Sequence, residues 1–404
     1  MKRIFLIVAI WLSGQYGGPL LAQSAPSILY DSKGKPAPGV MYPRLIRLEH
    51  YSGSKGAILA TFEHYIEKGR EPSFPIYRSL DEGKTWTLFS RVTDTKNHFG
   101  MRYQPQLFEL PQVVAGMPAG TILCAGSSIP KDMSSTELLL YKSSDGGKTW
   151  EYMSSIVKGG GAGPTIPVSA KATENFNATG KVNDPVWEPF LALDKKGRLV
   201  CFYSDEREKQ QGYNQLLSHQ VSEDGGRTWG KEVYDVAVPD KIKRPGMIVT
   251  ARLPNGKYIM VYEVVGIEHN PVYCRFSDDG DNWGDPSDLQ TRIVDASNGF
   301  FMSGTPYIIW VPGGGPNGTL VVTAKGSVQH GRMVGEGFMI NSNLGKGSWQ
   351  FRQSIIKYDA GRHSGGYSRS MLGLDGGKTI LLLTPVPVKG NLADLYVTRE
   401  KIID

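Results

Sequence analysis

Apolar and polar positions along this chain change over quickly, in apolar runs of about five to eight residues that are closed by Gly, Pro, Asn or Asp, the signature of short strands rather than helices. One compound pattern recurs: an apolar run, a turn, a glycine and a second apolar run. Its pivot glycines are Gly56, Gly120, Gly197, Gly256, Gly318 and Gly377, and the unit they mark, about sixty residues long, fills the chain six times. Each unit has room for a third and a fourth strand beyond the pivot pair. Six four-stranded antiparallel units in one chain predict an all-β, six-bladed propeller over residues 23–404 as a single domain. The sixth unit ends one strand short, so the segment around Ser27 to Tyr30 is expected to supply that strand and close the ring.

A second pattern punctuates the first. Ser79-Leu-Asp-Glu-Gly-Lys-Thr-Trp86 returns as Ser143-Ser-Asp-Gly-Gly-Lys-Thr-Trp150 and as Ser222-Glu-Asp-Gly-Gly-Arg-Thr-Trp229. A worn fourth copy runs from Phe276 to Trp283, with Phe standing where Ser is expected, and a fifth from Asn341 to Trp349 keeps little beyond its Trp. The spacing places each box in the hairpin between third and fourth strands, where an Asp accepts backbone N–H groups and a Gly takes a conformation closed to other residues. Asp81, Asp145, Asp224 and Asp278 are therefore read as turn residues: a role repeated once per blade points to folding, not catalysis.

Strand direction alternates within a blade, so the first strands begin, and the second strands end, on the face opposite the boxes. The first-strand starts are Pro43-Arg44, Gln104-Pro105, Glu188-Pro189, Pro245-Gly246, Thr305-Pro306 and Ser368-Arg369. Glu188, next to Trp187, is the one carboxylate in that set. Seven residues beyond the pivot glycines stand Glu63, Ser127, Ser204, Glu263, Lys325 and Thr384. Glycoside hydrolysis needs two carboxyl groups flanking one bond, and the available pairs are Glu188 with Glu263 or with Glu63.

Composition narrows the setting. Lys2 and Arg3 ahead of the apolar run Ile4 to Leu12 read as a secretory signal peptide over residues 1–22, which predicts a secreted or periplasmic protein without a membrane span. The net charge of +6 is spread along the chain, so no nucleic-acid partner is expected, and a monomer is. Cys124, Cys201 and Cys274 lie inside apolar runs, and an odd count excludes a full disulfide framework while leaving one pair open. No spacing of histidines or cysteines suits a metal, and no cofactor is implied. The glycine-rich Gly159 to Pro164 lacks the helix that a phosphate cradle requires. Asn177 and Asn317 begin glycosylation sequons.

The boxes resemble the Asp boxes, or BNR repeats, of the sialidase superfamily. More narrowly, Asn183-Asp-Pro-Val-Trp-Glu-Pro-Phe190, Cys201-Phe-Tyr-Ser-Asp-Glu206, Lys243-Arg-Pro-Gly-Met247 and Ile259-Met-Val-Tyr-Glu263 resemble glycoside hydrolase family 93, over essentially the whole chain after the leader. That resemblance implies a retaining exo-α-1,5-L-arabinanase that releases arabinobiose from the non-reducing end of linear arabinan. It carries the catalytic pair onto Glu188 and Glu263, leaving Glu63 with Arg44, Trp187, Arg244 and Arg369 as substrate-binding candidates. It also implies Tyr367, in Gly366-Tyr-Ser-Arg369, as a partner of the second glutamate. On that basis Glu188 is expected to be the acid/base and Glu263, its ionised form stabilised by the Tyr367 hydroxyl, the nucleophile.

Two rivals make different demands. A sialidase would gather Arg44, Arg244 and Arg369 around a sugar carboxylate. A non-catalytic propeller that binds a glycan or a protein would leave Glu188 and Glu263 far apart.

Overall fold

A computed structural model describes residues 25–65, 71–163 and 183–403. The leader and Asn177 lie outside these residues. Strands are organised into seven four-stranded antiparallel sheets. Six of them follow the sixty-residue units. Their first strands are Val40–Arg47, Met101–Glu109, Val186–Leu193, Arg244–Arg252, Tyr307–Val311 and Ser370–Leu374. Each of these touches the next, and the sixth touches the first, so the six make a closed circuit. We number the sheets of this circuit blades 1 to 6. The segment Ser27–Tyr30 pairs with Ala393–Lys401 as the outer strand of blade 6, as the missing strand required.

The seventh sheet was not anticipated. It consists of Val294–Asp295, Phe300–Ser303, Gly326–Gln329 and Arg332–Gly335. Three of its strands run on into blade 5 across short breaks, at residues 304–306, 324–325 and 336, so it extends that blade on the face where first strands begin.

The pivot glycines make the hairpins possible. All six have positive φ, from 65° at Gly318 to 90° at Gly377, a region that disfavours residues with a Cβ. The hydrophobic core lies between neighbouring sheets. Leu123, Ala125, Leu138 and Leu140 of blade 2 pack on Leu191, Leu199, Cys201 and Tyr203 of blade 3, and each large side chain so buried is worth about 1.5–3 kcal/mol. Cys124, Cys201 and Cys274 are free, buried thiols.

The boxes occupy the expected hairpins. In the first, Asp81 Oδ1 accepts the N–H groups of Lys84 (3.1 Å) and Thr85 (2.9 Å), while its Oδ2 accepts the Thr85 hydroxyl (2.6 Å). Asp145 and Asp224 repeat these contacts. The fourth box differs from the sequence reading. Ser277 and Asp279 do the work there, with Asp279 accepting the N–H groups of Asp281 and Asn282, because this turn is one residue shorter between Asp and Gly. Asp278 is instead an exposed partner of Lys257.

Candidate active site

At the start of each first strand one non-glycine residue adopts a left-handed backbone: Tyr42, Gln104, Glu188, Met247, Thr305 and Ser368, with φ between 36° and 62°. Four of them precede proline. Left-handed backbone at such residues costs about 1–3 kcal/mol apiece and tends to mark functional positions. What offsets it is a ring of hydrogen bonds about the axis. The amide of Gln104 reaches Glu63 Oε1 of blade 1 at 3.0 Å, and that of Glu188 reaches Gln104 Oε1 of blade 2 at 3.3 Å. Met247 N–H donates to Glu188 Oε2 (2.9 Å), Thr305 N–H to Glu263 Oε2 (2.7 Å) and Ser368 N–H to Thr305 Oγ1 (3.0 Å). Arg44 completes the circuit by donating from Nη1 to the Ser368 hydroxyl at 3.0 Å. The fourth first strand had been placed with Pro245-Gly246 at this position; the structure puts Met247 there.

The two sets of residues singled out in the sequence thus meet in one layer. Ser204, at the end of its second strand, donates to Glu188 Oε2 at 2.7 Å, and Ser127 to Gln104 Oε1 at 2.9 Å.

Glu188 and Glu263 face a common gap. A Cβ built on Gly246 would stand 3.7 Å from Glu188 Oε2 and 3.6 Å from Glu263 Oε1, so these two oxygens are no further apart than the sum of those distances. That is well inside the ~9.5 Å upper limit for a glycosidase pair. Burial pushes both carboxyls up, Glu188 to about 7. For Glu188 the bond from Ser204 opposes this and the charge of Glu263 adds to it. The positive charges acting on Glu263 are Arg244 and Lys325.

Glu63 is a third buried carboxyl on this face, pushed up to about 8 by burial although Gln104 N–H and the Tyr65 hydroxyl donate to it. Tyr367 faces all three. Burial, then Glu188, Glu63 and Glu263 in that order, hold its phenol well above the usual range. Among the described residues it makes no hydrogen bond to Glu263, so the expected Tyr367 to Glu263 pairing is corrected: of the three carboxyls, Glu188 is the one that bears most on its phenol. Trp187 continues an aromatic arc from Tyr65 through Tyr103, with ring centroids 6.2 and 6.4 Å apart along it.

The three arginines do not converge. Arg244 donates to Glu206 Oε1 at 2.5 Å and to Gln215 Oε1 at 2.7 Å, beside the catalytic candidates. Arg44 is held by Ser368, under the rings of Tyr42 and Tyr307. Arg369 is fully buried between blades 5 and 6, donating to Thr384 Oγ1, the Gly337 carbonyl and Ser354 Oγ. Substrate binding by Arg369 is therefore corrected to a structural role, because every nitrogen of its guanidinium already has a partner within the fold. Sequence reasoning found no signal for Gln215, quoted Glu206 only within a motif, and offered Gln104 and Lys325 only as members of the two sets of six strand-start and strand-end positions.

Two buried carboxyls on either side of a gap in a propeller's axial face define a glycoside hydrolase of sialidase-like fold. No protein-family model matches the chain, and no curated protein sequence does. Solved structures do. An α-L-arabinanase of Penicillium chrysogenum, complexed with arabinobiose, is 36% identical over 94% of this chain and 98% of its own, with a TM-score of 0.77. The GH93 α-L-arabinofuranosidase of Fusarium graminearum with arabinobiose is 33% identical over the same shares, also at 0.77. A Hadza microbial sialidase, at 13% identity and a TM-score of 0.59 over 93% of this chain and 68% of its own, shares the fold alone. The chain belongs to glycoside hydrolase family 93.

Proposed function

We propose that this protein is an exported, retaining exo-α-1,5-L-arabinanase that releases arabinobiose from linear arabinan. The observation that carries the chemistry is the Gly246 gap, bounded by one oxygen of Glu188 and one of Glu263. The arabinobiose bound by the Penicillium and Fusarium relatives supports the substrate class. The exported state rests on the charged and apolar leader.

Within this reading the roles reverse those implied by the resemblance. Glu188 is the nucleophile: Ser204 and Met247 both donate to its charged form. Glu263, with Thr305 as its one amide donor, is the acid/base and protonates the leaving oxygen. Burial is the main influence that raises Glu188, and the charge of Glu263 adds to it; a proton on Glu263 removes that second contribution and so favours the ionised nucleophile. Glu188 attacks the anomeric carbon as the glycosidic bond breaks; Glu263 then takes a proton from water, which displaces Glu188 with net retention.

Azide rescue tests the assignment. Glu263→Ala should regain turnover on an aryl arabinoside in azide and yield the arabinosyl azide of retained configuration, while Glu188→Ala stays nearly inactive. A retained azide from Glu188→Ala, with Glu263→Ala nearly inactive, would return the nucleophile to Glu263. Chelation by EDTA should leave wild-type turnover unchanged. The sialidase reading finds no support in the site, because its three arginines point to three different places.

A further inference from the structure

Beyond the pair itself, one carboxylate gathers the groups that surround it. Glu206 follows the second strand of blade 3 and is only 4% exposed. Its Oε1 accepts the Trp187 indole N–H at 3.0 Å and the Arg244 guanidinium at 2.5 Å, and Lys209 binds its Oε2 while also reaching the Asn183 carbonyl. Burial alone would favour the neutral form; Arg244 and then Lys209 overcome it and hold Glu206 below the usual carboxylate range. Arg244 in turn acts on both Glu188 and Glu263.

We infer that Glu206 is a positioning residue that fixes the Trp187 indole against the substrate and partly neutralises the Arg244 charge acting on Glu188 and Glu263. The reasoning is electrostatic and geometric together. An indole tethered through its only donor to a buried, doubly paired carboxylate is held in one orientation, as a sugar-stacking platform requires. A guanidinium already paired to a carboxylate lends less of its charge to neighbours than a free one, so Glu206 limits how far Arg244 favours the ionised forms of the catalytic carboxyls. Other groups act on the pair from elsewhere. Glu63, Tyr42 and Tyr367 face Glu188 from blades 1 and 6, Lys325 faces Glu263 from blade 5, and Arg44 works through Glu63 and Tyr42. Glu206's own partners remain Trp187, Lys209 and Arg244. The inference rests on the glycosidase reading for its consequence in turnover, and on the geometry alone for its consequence in titration.

The test uses Glu206→Gln, which keeps an acceptor for Trp187 and Arg244 but removes the charge. Carboxyl ¹³C titration of the full-length protein, labelled at glutamate, should show both macroscopic pKa values of the Glu188 and Glu263 pair lowered by about 0.5 to 1 unit. Both limbs of the kcat/KM profile on arabinan oligosaccharides should move down with them. Unchanged titration in a folded Glu206→Gln protein overturns the inference, even if arabinan proves not to be the substrate. Wild type that fails to cleave arabinan rejects the function while leaving the titration to judge Glu206. Glu206→Ala, which also frees the indole, should raise KM roughly fivefold or more over Glu206→Gln. Equal KM values for the two variants would remove the platform half of the inference.

Discussion

A methyl group is the smallest probe of the space between Glu188 and Glu263. Gly246 does not have a positive φ, so alanine is tolerated by its backbone, yet the added Cβ would enter the gap and come within 2.9 Å of Gln215 Nε2. Gly246→Ala should lower turnover by about 100-fold or more, because a displaced sugar no longer meets both carboxyls. The thermal midpoint should barely move. Full activity in this variant would mean that the substrate does not occupy the gap. Glu63 makes a prediction of the opposite kind. Its folded-state value of about 8 lies above its ordinary 4.5, so the native state holds the proton more tightly than the unfolded chain does. Stability is therefore eroded as pH rises from about 4.5 to about 8, and is unaffected by this group below that window. Glu63→Gln removes the penalty, so its thermal midpoint should match wild type near pH 4 and exceed it near pH 8; a constant difference would show that Glu63 is not the titrating group. At this scale the sequence was informative where an unusual residue broke a repeat, as Glu188 does among the first-strand starts. It gave Glu206 and Gln104 no distinct role, because their importance comes from partners in other blades, and it misled about Arg369, whose position says nothing of where a long side chain points.

At the scale of the element, the box and the strand start behave differently as signals. A box is a local object. Asp145 bonds to atoms three and four residues ahead, so its pattern is written in consecutive letters and could be recognised with no knowledge of the fold. Asp145→Ala loses those acceptors and should cost about 1–2 kcal/mol of stability while leaving kcat/KM intact, since the boxes lie on the face opposite Glu188. Asp81 and Asp224 reach about 2 through the hydroxyls of Thr85 and Thr228, so what they contribute is complete above 3.8 and is lost as pH falls from there toward 2. The fourth box shows the limit of such reading: a one-residue shortening moved the acceptor from Asp278 to Asp279. The seventh sheet shows another. Its strands are two to four residues long and continue blade 5 through breaks at Thr305 and Lys325, so no separate period announces them. Those breaks place a left-handed amide on Glu263 and a lysine beside it.

The whole molecule is a ring, and a ring has to be closed. Blade 6 takes three strands from the C-terminal end of the chain and its outermost from Ser27–Tyr30, in register through Ser27 with Val397 and Ile28 with Tyr396. The closing segment does more than add four residues to a sheet. Ser32 N–H donates to Asp394 Oδ1 at 2.8 Å, the Pro38 carbonyl accepts Ala393 N–H at 2.8 Å, and the Tyr30 hydroxyl meets His64 Nε2 of blade 1 at 2.6 Å. One short stretch therefore ties blade 6 to itself and to blade 1, the seam where the polar ring is completed by Arg44 and Ser368. The count of strands in the last repeat was enough to foresee this closure, because an odd strand missing at one end of a circular fold leaves a single place for the other end to go. Without residues 26–36, Ala393–Lys401 becomes an open edge and the seam loses the bonds of Ser32 to Asp394 and of Tyr30 to His64. Deletion of residues 26–36 should lower the thermal midpoint by roughly 5 °C or more. Activity measured well below that midpoint should fall as well, since Arg44 and Glu63 of blade 1 would no longer be held against Ser368 and Tyr367 of blade 6. A truncated protein with the wild-type midpoint would show that the ring is held shut by its hydrophobic seams alone.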